Sequence, residues 1–96
     1  MSLTTTTHSY LAGLGTRIAA DGITPHAGDV LVVADAAARV APAAARVLAD
    51  VAQPEVARGR ALAVASSAIL RSRAASESLG TALTDVAGTD LALIAA

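Results

Sequence analysis

DVLVVADAAARVAPAAARVLADV, residues 29–51, decides how the chain is read. Val30, Val33, Ala37, Val40, Ala44, Val47 and Val51 recur at alternating steps of three and four, the spacing that places side chains on one face of a helix. Asp35, Arg39, Arg46 and Asp50 fall on the far side and pair by spacing, Asp35 with Arg39 and Arg46 with Asp50, each four residues apart. Pro42 lacks a backbone donor and clashes with the preceding turn, so it either kinks the helix or begins a new one. The stripe keeps phase across Pro42, and a kinked but continuous helix is expected. The competing reading makes Asp29–Ala34 a β-strand, because Val-Leu-Val-Val is short and rich in branched residues, with Asp90–Ile94 as its one conceivable partner.

The segments on either side follow the same logic. Gln53 and Pro54 mark a boundary, and Pro54 with Glu55 suits the first turn of a third helix expected to run to about Leu79. Leu62, Ile69, Ser76 and Leu83 are spaced by seven, with Ala65, Ser72, Leu79 and Val86 as the complementary set, so the phase continues beyond it. Gly80 and Gly88 are the expected weak points, with a break or bend near Gly80, then a short helix over residues 81–87 and an apolar end, TDLALIAA, that packs on the body or on a partner. Towards the N-terminus, Ser9 caps a first helix reaching Asp21, with Leu11, Leu14 and Ile18 on one side and Gly22 as its stop. Residues 22–28, GITPHAG, read as a loop, after which Asp29 caps the second helix. Residues 1–8 are Thr-rich and aperiodic and read as a disordered lead, leaving 9–96 as a single helical domain.

Composition supports this class. Of the 52 apolar residues 26 are Ala, the best helix former, and Tyr10 is the only aromatic. Ala offers roughly a third of the burial of Leu, so the core is thin and the missing area must come from close helix packing or a partner chain. The basic residues number seven and are all Arg, the acidic ones eight, and the formal charge is −1, which disfavours unspecific nucleic-acid binding. Without Cys there is no disulfide framework, thiolate metal site or cysteine nucleophile. The start, MSLTTTTHSYLAGLG, has no basic n-region and no sustained apolar run, so no signal peptide is read there and a cytoplasmic location is expected.

A second stretch, RGRALAVASSAILRSR over residues 58–73, flanks ten uncharged residues with two arginine pairs. The run from Ala61 to Leu70 makes only about 15 Å of helix against a bilayer core near 30 Å, too short to span a membrane, and it has no bulky anchors for lying on one. On a helix Arg60 and Arg71 stand nearly in line about 16 Å apart, and guanidinium forks hold phosphate and carboxylate well. Arg58, Arg60, Arg71 and Arg73 are therefore the candidate anion-binding residues, for a long polyanion rather than a small ligand. Glu55 and Glu77 lie within helical reach of Arg58 and Arg73, so solvated or internally paired arginines around a buried helix core are the expected arrangement.

Catalytic chemistry finds little support. Asp21, His26 and Asp29 cluster in a loop where a His with two carboxylates could ligate a metal or move a proton, but such carboxylates are ordinarily caps and turn formers. His8 lies in the lead, and Ser66 and Ser67 have no base nearby in sequence. The expectation is an all-α protein, a small bundle of three to four helices built around an antiparallel Ala/Val/Leu-rich helical hairpin. No catalytic residue, metal or cofactor is expected. Its expected role is interaction or assembly, pairing with itself as a homo-oligomer or with a helical partner protein through Val33, Val40, Val47 and Ile69, with the chain's own core as the other reading of these four residues. The alternative is a nucleic-acid or polyanion binder using the Arg58–Arg73 face.

Overall fold

The computed structural model describes residues 3–83. All regular structure among them is helical: α1 over Leu3–Asp21, a 3₁₀ turn over Thr24–His26, α2 over Ala27–Ala37, α3 over Pro42–Ala49 and α4 over Glu55–Arg71. A fifth helix, α5, begins at residue 73 and is helical up to residue 83. The strand alternative for residues 29–34 fails, because these residues lie inside α2. Packing joins α2 to α3 and α4, α3 to α4, and α1 to α4. Leu11, Leu14, Ile23, Val30, Val33, Leu48, Leu62, Ile69 and Leu79 meet in one core, with alanines between them.

Three boundaries differ from the sequence expectation, each for a local reason. The first helix starts at Leu3 and not after Ser9, so from residue 3 the expected lead is helix. Thr7 holds it there: it is fully buried, and its Oγ1 donates to the Ser76 carbonyl in α5 at 2.8 Å. Next, the chain is not a kinked helix through Pro42. The residue before a proline is driven out of the helical region, and Ala41 has φ −147° and ψ 67°. Helix α2 therefore closes with the Val40 and Ala41 N–H groups both donating to Ala37 O, at 3.1 and 2.8 Å, and Pro42 opens α3 in the first turn, where its missing donor costs nothing.

The third difference concerns Gly80, which is helical and buried while the break falls at Ser72 (φ −111°, ψ 114°). Ser72 Oγ accepts the Ala75 N–H at 3.2 Å, the bond of an N-cap, and so starts α5. Ser76 Oγ donates at 2.7 Å to the Ile69 carbonyl in the last turn of α4, which also accepts the Ser72 N–H at 3.1 Å. Residues 84–96, including Val86, the end of the expected 81–87 helix, the proposed strand partner 90–94 and the apolar end, lie outside the described residues.

The corner between α1 and α2 follows the expected stop. Gly22 has φ +83°, and its N–H donates to Ile18 O at 2.8 Å. A side chain there would be strained in the left-handed region, and its Cβ would lie 2.7 Å from Glu55 Oε1. That approach is used: the Ile23 N–H donates to Glu55 Oε1 at 2.8 Å, which ties the corner to the start of α4. The 3₁₀ turn then leads directly into α2, with His26 and not Asp29 at the capping position.

Candidate functional site

The four candidate arginines do not form one face. Arg58 points inward, only 9% exposed, with its Nε donating to Leu48 O at 3.0 Å. That carbonyl belongs to the last turn of α3, so a buried cation meets the negative end of a helix. Arg60 and Arg71 are exposed on α4, and Arg71 Nε bonds the Ser67 carbonyl at 3.4 Å. Arg73 lies past the Ser72 break and pairs with Glu77 at 3.3 Å. The expected Glu55 partnership with Arg58 does not form, since Glu55 turns to Ile23. Asp35–Arg39 and Arg46–Asp50 also make no ion pair among the described residues, because α2 ends before Arg39 and α3 ends before Asp50. Asp50 instead accepts the Ala52 N–H at 2.9 Å.

The expected contact residues separate in the same way. Val33 and Ile69 have no exposed surface and belong to the chain's own core, the second of the two readings given for them. A stripe on a lone helix is outward only if no intrachain neighbour covers it, and α2 and α4 cover each other's. Val40, 39% exposed, sits in the α2–α3 turn beside a groove shared with Ser72 and Ala75. Val47 is half-buried and lines a shallow groove of about 330 Å³ between α3 and α4, with Ala43, Ala44, Ala57, Ala61, Val64 and the stem of Arg60. Val64 is 55% exposed at its edge, and Val51 and Val56, exposed, lie in the connection and on the first turn of α4. A second groove, about 610 Å³ and floored by Gly15, Gly59, Leu11 and Leu62, runs between α1 and α4. Sequence reasoning missed Val64, which belongs to neither seven-residue series, although its place between Arg60 and Arg71 already set it on the outer side of α4.

Polar groups do converge at the α1–α2 corner. Tyr10 Oη donates to Asp29 Oδ1 at 2.7 Å, His26 Nε2 lies 3.2 Å from Asp21 Oδ2, and His26 Nδ1 lies 4.0 Å from Asp29 Oδ2. Burial, and then the hydrogen bond to Asp29 and the charge of that carboxylate, push the Tyr10 phenol well above its ordinary range, with Arg17 opposing weakly. A phenol that holds its proton so firmly is a poor base and a poor nucleophile. Tyr10, His26 and Asp29 line a cleft of about 470 Å³ with Val32 and Leu83. Among the described residues no group of three or more His, Asp or Glu side chains is arranged to hold a metal ion. Two hydrogen bonds tie this corner, one from Tyr10 in the middle of α1 to Asp29 in the first turn of α2 and one between Asp21 at the end of α1 and His26 in the 3₁₀ turn, with the 4.0 Å approach of His26 to Asp29 between them.

Among the described residues no helix is long and apolar enough to cross a membrane. No known family model, curated protein or solved structure matches this chain.

Proposed function

We propose that this chain is a small, non-catalytic helical interaction protein that self-associates through the α3/α4 face of an Ala/Val/Leu-rich antiparallel hairpin. The observation that carries the reading is the α3/α4 groove, almost wholly apolar and flanked by the outward-facing Val64. Small alanines there let a helix backbone approach closely, and burying a valine is worth about 1.5 kcal/mol or more, so such a face gains by being covered. The burial of Arg58 and the pairing of Arg73 with Glu77 weigh against the polyanion alternative, because only Arg60 and Arg71 of the four are left exposed without a carboxylate partner.

The test is the absolute mass of the purified chain, by light scattering behind a sizing column, over a tenfold concentration range. A dimer or larger species is expected, with Val64→Glu reduced to a monomer of unchanged helix content by circular dichroism. A wild-type chain that stays a compact monomer throughout overturns the proposal.

A further inference from the structure

The carboxylates leave one residue over. Asp21 meets His26, Asp29 accepts from Tyr10, Asp50 from the Ala52 N–H, Glu55 from the Ile23 N–H, and Glu77 from Arg73. Among the described residues only Asp35 has a carboxylate with no hydrogen-bond or ion-pair partner. It is exposed on α2, one turn after Leu31, which at 54% is the most exposed leucine among the described residues. Residues four apart lie one above the other on a helix, so Leu31 and Asp35 make a single outward patch, an apolar knob with a negative charge beside it.

The α3/α4 groove is the chemical counterpart of that patch. Its floor is alanine, its edges are Val47 and Val64, and its one charged lining residue is Arg60, which likewise has no acidic partner. We infer that the occupant of the groove is a second copy of this chain, seating Leu31 between Val47 and Val64 with Asp35 against Arg60. This rests on the self-association proposed above and names the surface that meets the groove. Arg39 and Arg46 are the in-chain rivals for Asp35, since each lines a groove that Asp35 also lines, yet neither is bonded to it. Unlike Arg60, neither stands at the α3/α4 groove. Charge pairing at its rim fixes which surface docks, while the apolar contact supplies most of the affinity.

Charge reversal separates the possibilities. Asp35→Arg and Arg60→Asp are each expected to weaken association at least tenfold in sedimentation equilibrium, and the chain carrying both changes is expected to regain it. Both positions are exposed, so helix content and unfolding midpoint at low concentration serve to show that each variant folds. Association unchanged in the single variants, or lost in them without recovery in the double variant, overturns the Leu31/Asp35 contact while leaving self-association standing. A wild-type chain that is monomeric overturns both.

Discussion

At the scale of single residues, burial separates arginines that look equivalent in sequence. Arg58 donates to the open Leu48 carbonyl from inside the protein, and a hydrogen bond to a charged group contributes about 1.5–3 kcal/mol when its loss leaves a buried acceptor unpaired. Arg58→Ala is therefore expected to lower the unfolding free energy by that amount in urea denaturation. Arg73→Ala, which removes an exposed pair with Glu77, is expected to leave the urea midpoint unchanged. Tyr10 supplies a pH-dependent counterpart. Its phenol is held above the ordinary value of 10.0 in the folded chain, so above pH 10 the unfolded state releases the proton while the folded state keeps it. The folded state then binds more protons, and stability falls as pH rises. Stability measured between pH 9 and 11 should decline in the wild type and decline less in Tyr10→Phe; equal slopes would show that the Tyr10–Asp29 bond is not what couples folding to alkaline pH.

At the scale of elements, the helix breaks carry the test. If Ser72 starts α5 by capping it, Ser72→Ala should cost about 1 kcal/mol in thermal or urea unfolding, whereas a glycine-determined break would leave that variant at wild-type stability. The helical class and the Gly22 stop were legible because they depend on nearest neighbours: spacing by three and four, and a left-handed position that only glycine fills easily. The outcome at Pro42 was legible only as a pair of choices. Phase continuity across it favoured a kink, but phase is also kept when two short helices pack on the same neighbour, as α2 and α3 both do on α4. The start of α1 was hidden because Thr7 is polar, although Thr7, Leu11, Leu14 and Ile18 step by four, three and four as one continuous face. Its burial depends on the Ser76 carbonyl, 69 residues away, and no local pattern carries that bond. Which of the four valine and isoleucine positions are core was hidden for a related reason. Periodicity finds the buried face of each helix, and Val33 and Ile69 are on it, while an outward face is what remains after every intrachain neighbour has been placed.

At the scale of the whole molecule the question is how a core so poor in large side chains is held. Among the described residues six of the fifteen buried apolar ones, Ala34, Ala37, Ala45, Ala61, Ala65 and Ala75, are alanine, so few methylenes leave water on folding. The polar interior is fully used: among the described residues no buried side-chain nitrogen or oxygen lacks a partner. A chain of this length has on the order of 5–14 kcal/mol to lose, and truncating one fully buried leucine such as Leu14 costs about 2–5 kcal/mol. Leu14→Ala should accordingly remove a large part of the stability of an isolated chain. If a second copy covers Val47 and Val64, part of the missing stabilisation comes from association, and mass action makes it depend on concentration. For a dimer each tenfold rise in protein adds about 1.4 kcal/mol per pair, half of that per chain, which raises the midpoint by roughly 3–6 °C. Calorimetry of the wild type at two concentrations tenfold apart should show that rise, and Val64→Glu should show none. A midpoint independent of concentration in both would mean that the alanine-rich core and its satisfied hydrogen bonds hold one chain alone, and that Val47 and Val64 at the α3/α4 groove serve no self-contact.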